Sequence, residues 1–255
     1  MRENTNNSLT VMLKELCLTT IASNWEETCP QADLGGWGSA KCLSILCEHE
    51  LTSRGNRRMA RLISESDLPK GKTLSSFEFG VLPSLNKTQV LTLASGEGWI
   101  RQGTNILIFG PSGVGKTHLA AAIGMRLLEC NMRVLFTRTT ELIQKLQAAK
   151  QVLQLKSALA KLDKFDCLIL DDFGYARKDQ METNVLFELI CDRYERKSLI
   201  ITCNQPFGEW DKIFQDNAMA VAAIDRVVQS AHILQINAES YRKNSLTGKN
   251  KPMKE

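Results

Sequence analysis

The sequence predicts an α/β protein whose core is a parallel five-stranded sheet with helices on both faces, preceded by a small helical domain. From residue 95 onward, short apolar runs that fit buried strands alternate with longer segments of helical spacing. This order is typical of a parallel sheet covered on both faces. Before residue 66, apolar residues recur every three or four positions, a spacing that indicates helices alone.

The N-terminal region is predicted to hold two helices. The first is amphipathic and spans residues 8–26. Pro30 and three nearby glycines predict a break over residues 30–38, after which Ser39 caps the second helix. Gly55 predicts a kink or weak point there, because glycine costs a helix interior about 1 kcal/mol relative to alanine.

Four segments follow from this pattern. They are a helical DNA-binding or partner-binding domain at 1–65, a connector at 66–94, the α/β domain at 95–242 and a basic disordered tail at 243–255. Within the α/β domain, strands are predicted at 105–109, 133–137, 165–170, 199–202 and 231–236, and helices at 116–129, 139–162, 180–196 and 217–229.

Composition places the chain among ordinary globular proteins, with 43% hydrophobic and 24% charged residues. No apolar run approaches the roughly 18 residues that span a bilayer, and the start lacks the apolar core of a secretory signal. We therefore expect a cytoplasmic protein with reduced thiols at its eight cysteines. Cys42, Cys47 and His49 lie close together, but without a paired CxxC motif or a second cluster they do not predict a zinc site.

A glycine-rich loop lies between the first predicted strand and the helix after it. It matches the pattern GxxxxGK[ST], in which backbone N–H groups surround the phosphates of a nucleotide at a helix N-terminus. We expect ATP there, with Lys116 on the β and γ phosphates and the Thr117 hydroxyl on Mg²⁺. A second GKT, at residues 71–73, lacks the strand and the first glycine and is interpreted as a loop. The predicted ATP-binding loop is Gly110, Pro111, Ser112, Gly113, Val114, Gly115, Lys116 and Thr117.

Two acids follow the strand that ends at Leu170. Asp171 is predicted to hold the Mg²⁺, and Asp172 to orient the water that attacks the γ-phosphate. Asn204, after the next strand, is predicted to contact the γ-phosphate or that water. The strand at 133–137 lies between the phosphate strand and the acid strand in sequence, which favours an ATPase over a nucleotide kinase.

Basic residues are concentrated in two places, although the net charge is only +4. One is the C-terminal tail. The other is a stretch in which three arginines fall at i, i+4 and i+7, on one helical face suited to the phosphates of duplex DNA. A solvated basic face is the alternative. The predicted DNA-contacting residues are Arg54, Arg57, Arg58 and Arg61.

Arg226 is predicted to act on the γ-phosphate of a neighbouring subunit, since an arginine supplied in trans accelerates phosphoryl transfer. Pairing with a local acid is the alternative. Arg193 and Arg196 are expected on a solvated or interface face. The sequence after Arg242 is too short for a helical lid over the nucleotide, so we expect ATP-dependent assembly of several copies around a shared site.

Several blocks together closely resemble the IstB-like ATPases that help insertion-sequence transposases, and the likeness covers most of residues 9–243. The resemblance implies an AAA+ ATPase of the initiator and helicase-loader group that oligomerises on DNA with ATP and recruits or stimulates a transposase. It also implies that Asp171 and Asp172 form Walker B, Asn204 is sensor 1, Arg226 is the arginine finger and Arg242 is sensor 2. The blocks are residues 110–120, 170–175, 193–198, 202–207 with Trp210, 225–226, 240–242 and, upstream, 50–51, 54, 57–58, 72–74 and 77.

Two other interpretations remain open. A replicative helicase loader of the DnaC type shares this ATPase core and differs mainly in its N-terminal segment. A nucleotide-gated DNA scaffold, in which hydrolysis is incidental, is favoured by the shorter Asp172 where related ATPases carry glutamate.

Overall fold

The computed structural model describes residues 2–82, 84–96, 98–174, 179–205, 207–212 and 217–237. The chain divides into two compact units, residues 1–61 and 62–255. The four-segment division predicted above stays a prediction. Within the described ranges, no helix has the length and apolarity needed to cross a membrane.

Three helices build the first unit: α1 (Arg2–Glu15), α2 (Thr19–Leu34) and α3 (Ser39–Glu65), which continues into the second unit. The single helix predicted over 8–26 is wrong, because the chain breaks at Cys17, whose φ is 58°. The Leu18 N–H donates to Leu13 O at 2.8 Å and closes α1. The Glu50 carboxylate then accepts the N–H groups of Thr20 and Ile21 at 2.7 and 3.1 Å, which starts α2.

The break predicted over residues 30–38 is wrong in its first half. Pro30 lies inside α2, which ends only at Leu34. A proline removes one backbone donor, but the end of this helix is set by Gly36 at φ 62° and by the Trp37 N–H, which donates to Ala32 O at 2.8 Å. The second predicted helix is confirmed, and α3 runs through Gly55 without interruption.

The second unit contains a five-stranded parallel sheet in the order β2-β3-β4-β1-β5, which confirms the predicted fold class. In space β4 separates β1 from β3, whereas β2, which precedes β3 in sequence, lies at the edge. The strands are β1 (Asn105–Phe109), β2 (Val134–Arg138), β3 (Cys167–Asp171), β4 (Ser198–Cys203) and β5 (Ala231–Gln235).

Helices cover both faces of this sheet. α5 contacts the four strands β1 to β4 on one face. The other face carries the larger apolar core, in which Leu107, Leu168 and Leu199 pack against residues of α6, α8 and α9. The helices are α4 (Lys87–Ser95), α5 (Lys116–Glu129), α6 (Thr139–Gln151), α7 (Leu155–Leu162), α8 (Gln180–Arg193) and α9 (Asn217–Val228), with 3-10 turns at Phe79–Val81 and Phe207–Lys212.

The helix predicted over 139–162 is two helices, α6 and α7. The chain turns at Leu153, whose φ is 57°, and the Gln154 N–H donates to Ala149 O at 2.7 Å. This is a helix-ending turn that glycine usually provides. Since residues 150–154 contain neither glycine nor proline, the sequence offered no signal for it.

Arg193 is buried, which makes its predicted placement on a solvated or interface face wrong. Its side chain is 1% exposed, and its guanidinium donates to the carbonyl oxygens of Leu162, Phe165 and Ser198 at 3.1 to 3.2 Å. Burial lowers the pKa of Arg193 to about 10, so the group remains charged at neutral pH. Arg196 is exposed and forms ion pairs with Asp163 and Asp192.

We expect Arg193→Ala to destabilise the protein by at least about 3 kcal/mol, because the carbonyl oxygens of Leu162, Phe165 and Ser198 lose a charged donor. Arg196→Ala is the matched control and should cost less than about 1 kcal/mol, since exposed ion pairs contribute little. Chemical denaturation followed by circular dichroism measures both. Equal losses of stability for the two variants would show that Arg193 does not hold together the segments that carry its carbonyl partners.

Candidate nucleotide site

The glycine-rich loop connects β1 to α5 and lies at the carboxyl edge of the sheet. Gly110 starts it at φ 156°, and a Cβ there would stand 2.5 Å from Ile236 O, so a larger residue does not fit. Gly115 ends it at φ 96° and precedes the first turn of α5 without any side-chain cap. The N-terminus of α5 therefore keeps its backbone donors and its positive dipole end for an anion.

Lys116 lies in the first turn of α5 and is only 6% exposed. Its ammonium group donates to the carbonyl oxygens of Gly110 and Pro111 at 2.9 and 2.8 Å. The first two residues of the loop thus hold the ammonium group in place. An ammonium group in this position suits the phosphates of a bound nucleotide.

The Asp171 carboxylate is the centre of a hydrogen-bond network at the end of β3. The Thr117 hydroxyl lies 3.0 and 3.1 Å from its two oxygens. Thr202, on the neighbouring strand β4, donates to Oδ1 at 2.6 Å. Thr139, at the start of α6, donates to the Asp171 backbone carbonyl at 2.9 Å. The acid is therefore fixed through both its side chain and its backbone.

Burial raises the pKa of the Asp171 carboxyl above its ordinary value, and the nearby Asp172 raises it further, whereas the hydrogen bonds from Thr202 and Thr117 lower it. A bound cation would favour the ionised form. A hydroxyl oxygen beside a carboxylate is a hard donor set, and such oxygens suit Mg²⁺. The residues present therefore fit the expected ion.

Asp172 and Asn204 follow adjacent strands. Asp172 is half-buried and adopts φ 55°, a conformation uncommon for residues other than glycine. Asn204 is exposed and comes directly after β4. Cys203, the last residue of β4, pairs with Phe109, the last residue of β1. Asn204 therefore lies level with the start of the phosphate loop. The sheet thus brings both predicted residues to the edge that carries Lys116 and Asp171.

Residues 72–79 pack onto the start of α5, a contact that the sequence did not predict. This loop includes Lys72 and Thr73 of the second GKT and contains no helix or strand before Phe79. Phe77 is buried and meets the His118 ring edge-on at 5.2 Å, and the His118 Nε2 lies 3.1 Å from Thr73 O. Burial lowers the pKa of His118. The signal available in the sequence was Phe77, one of two phenylalanines close together in the connector.

The remaining predicted residues lie elsewhere. Arg226, on α9, donates to Ala222 O at 2.8 Å and stacks on the rings of Phe187 and Tyr194. α8 and α9 cover the sheet face opposite α5, so the structure does not bring Arg226 to the phosphate loop of its own chain. Arg242 lies outside the described residues.

The four predicted DNA-contacting arginines differ in their surroundings. Arg54 binds Glu50 Oε1 at 2.8 Å and Cys17 O at 2.7 Å, and Arg57 reaches the Thr19 hydroxyl at 3.2 Å. These contacts hold the ends of α1 and α2 to α3. The hydrogen bond from Arg54 lowers the pKa of Glu50 to about 2, and the N–H groups of Thr20 and Ile21 contribute to this shift. Arg58 and Arg61 are exposed, and no described residue gives either of them a hydrogen bond or ion pair.

All eight cysteines are free thiols, as expected, with Cys29 and Cys42 3.9 Å apart at sulfur. Among the residues that the structure describes, no group of three or more His, Cys, Asp or Glu side chains is arranged to hold a metal ion. The expected Mg²⁺ donors include the Thr117 hydroxyl, and threonine is not one of these four residue types.

Comparison with known proteins decides the family. The model of the family described as IstB-like ATP binding protein matches residues 11–248. The chain belongs to this family. A putative insertion sequence ATP-binding protein of Sinorhizobium fredii is 56% identical to it, over 93% of this chain and 80% of that protein. The insertion sequence IS21 putative ATP-binding protein of Pseudomonas aeruginosa is 34% identical, over 92% of this chain and 89% of its own length.

Solved structures place this IstB-like protein within the AAA+ P-loop fold. DnaA from Aquifex aeolicus, bound to AMPPCP, has a TM-score of 0.57 at 19% identity and covers 72% of this chain and 56% of its own. DnaI has a TM-score of 0.55 at 22% identity and covers 67% of this chain and 95% of its own. At these identities the likeness concerns the fold alone.

Proposed function

We propose that this IstB-like protein is a DNA-binding helper ATPase that assembles on duplex DNA with ATP and recruits or stimulates a transposase in the cytoplasm. The observation that carries the proposal is the contact between the Thr117 hydroxyl and the Asp171 carboxylate beside Lys116. It supports a site for hydrolysis as well as binding. The insertion-sequence context of the relatives supports the link to transposition.

Each residue of the site has a proposed task. Lys116 and the N-terminus of α5 bind the phosphates, and Thr117 and Asp171 hold the Mg²⁺, which neutralises developing charge on the phosphoryl group. Asp172 orients the attacking water, and Asn204 contacts that water or the γ-phosphate. The carboxylate of Asp172 is one methylene shorter than that of glutamate, so we expect slow turnover that DNA stimulates.

The site is proposed to be shared between subunits. Arg226 lies on the α9 side of the sheet, with Phe187 and Tyr194 holding its guanidinium. An arginine in this position serves the γ-phosphate of a neighbouring copy in a head-to-tail assembly. Arg242 is proposed to contact ATP as sensor 2.

DNA contact is proposed for the arginines of α3. Since Arg58 and Arg61 are exposed, whereas Arg54 and Arg57 also hold α1 and α2, the first pair provides the cleaner test. Alanine at both positions should reduce the slope of log Kd against log salt for duplex DNA by about 2, because each phosphate contact contributes about 0.9. Replacing Arg101 and Arg126, exposed residues of the second unit, removes the same charge as a control. An unchanged slope for the α3 variant would exclude the contact.

A DnaC-type helicase loader, which would share this ATPase core, is the second candidate. Co-purification distinguishes the two functions. The tagged chain with ATP and DNA is mixed with the transposase encoded in the same element or with the host's hexameric replicative helicase. We expect retention of the transposase and loss of that retention with Lys116→Ala. Retention of the helicase alone would overturn the assignment to transposition.

A further inference from the structure

Thr202 lies inside the sheet and was not assigned to the site from the sequence. It is the fifth residue of β4, is fully buried, and pairs with Ile108 of β1 in the register of the sheet. Asn204 follows two residues later. β4 separates the strand that leads into the phosphate loop from the strand that carries the two acids. Thr202 therefore lies between the two halves of the nucleotide site.

Both hydrogen bonds of the Thr202 hydroxyl go to the acid pair. It donates to Asp171 Oδ1 at 2.6 Å and accepts the backbone N–H of Asp172 at 3.0 Å. A hydroxyl has one proton, and here that proton is committed to the Asp171 carboxylate. The accepted bond holds the peptide of Asp172, whose φ of 55° a non-glycine residue adopts only with support from its surroundings.

Thr117 also donates to Asp171, but its oxygen has a second task in the proposed site, where it binds Mg²⁺. The Thr202 hydroxyl belongs to the central strand β4 and has no proposed bond to the metal, so its hydrogen bond need not change when the metal binds. Of the two side-chain donors, Thr202 is therefore the one that keeps the carboxylate oriented in both states. A hydrogen bond to a metal-binding carboxylate commonly has a large effect on the affinity of the metal.

We propose that Thr202 is a positioning residue of the nucleotide site: its hydroxyl orients the Asp171 carboxylate for Mg²⁺ and fixes the backbone turn that presents Asp172. The same side chain links β4, which ends at Asn204, to both acids. This inference rests on the proposed Mg²⁺–ATP site and needs neither DNA nor a transposase.

The test measures the binding of a fluorescent ATP analogue over a range of Mg²⁺ concentrations, together with kcat and KM. Thr202→Val keeps the shape of the side chain but loses the hydroxyl, and Thr202→Ser keeps the hydroxyl. We expect the valine variant to require about 10- to 100-fold more Mg²⁺ for tight nucleotide binding and to lose kcat by a similar factor. Its affinity for the analogue without Mg²⁺ should remain that of the wild type, and serine should restore both properties to within a few-fold.

Thr183→Val is the matched control, since Thr183 is another fully buried threonine, and its hydroxyl has no hydrogen-bond partner among the residues that the structure describes. We expect it to behave as the wild type. If Thr202→Val does not fold, Thr202→Cys is read in its place, because a thiol of similar size is only a weak donor. The positioning role would be overturned if the variant without the hydroxyl, valine or the cysteine that replaces it, had an Mg²⁺ requirement within two-fold of the wild type. It would also be overturned if Thr202→Ser were as defective as that variant.

Failure of the Thr202 proposal can be distinguished from failure of the proposed function. A wild-type chain that binds nucleotide with Mg²⁺ but neither assembles on DNA nor retains a transposase would overturn the proposed function and still allow the Thr202 comparison. A wild-type chain whose nucleotide binding does not respond to Mg²⁺ would overturn both.

Discussion

Lys116→Ala should reduce ATP turnover by at least about 100-fold, because it removes the positive charge proposed to bind the β and γ phosphates. The structure also gives a local reason. The ammonium group is buried and is held by the carbonyls of Gly110 and Pro111, so the loop is shaped around it. Release of inorganic phosphate, with and without duplex DNA, measures the effect.

The chain supplies its own control for this variant. Lys72 belongs to the second GKT, in a loop with no strand before it, and its side chain is exposed. We expect Lys72→Ala to retain turnover within a few-fold of the wild type. If the wild type binds ATP and assembles but releases no phosphate above the level of Lys116→Ala, the chain is a nucleotide-gated scaffold and the proposed hydrolysis is wrong.

Arg226→Ala should reduce kcat by about 1000-fold while leaving ATP binding intact, because an arginine supplied by a neighbour acts on the transition state. Mixing experiments distinguish this role from a structural one. Lys116→Ala subunits cannot turn over ATP but still carry Arg226, whereas Arg226→Ala subunits keep an intact loop. An equal mixture should recover up to roughly a quarter of wild-type turnover, since half of the sites are intact and half of their neighbours provide an arginine.

The control for the mixture replaces the Lys116→Ala partner with a chain that carries both substitutions and has no arginine to donate. Its mixture with Arg226→Ala should stay inactive. Turnover in the first mixture no greater than the sum of its separate components would contradict a shared site. Thermal unfolding of Arg226→Ala accompanies the assay, because the arginine also stacks on Phe187 and Tyr194.

The α/β unit was largely predictable because its strands are continuous apolar runs and its phosphate loop has a specific spacing. All five strands lie within two residues of their predicted limits, and β1 and α5 match them fully. Helix ends at Cys17 and Leu153 were missed, since both residues adopt a left-handed turn without glycine. Such turns are imposed by packing and by hydrogen bonds to distant residues, such as that from Arg54 to Cys17 O.

The site was predictable where one residue type is required at a fixed spacing, as with Lys116, Thr117 and the acids after β3. It was not predictable where contacts join distant segments. Thr202 reads in the sequence as an ordinary β-branched strand residue, and Phe77 as a loop aromatic. Arg193 was misjudged for the same reason: its carbonyl partners come from two separate stretches of the chain, residues 162–165 and Ser198.

The most direct test of the central claim is the mass of the protein in solution, measured by light scattering with duplex DNA and a non-hydrolysable ATP analogue. We expect a large assembly when both ligands are present, and a smaller species when either ligand is omitted or when Lys116→Ala replaces the wild type. A wild-type mass equal to that of the monomer under every condition would contradict an ATP-dependent assembly on DNA.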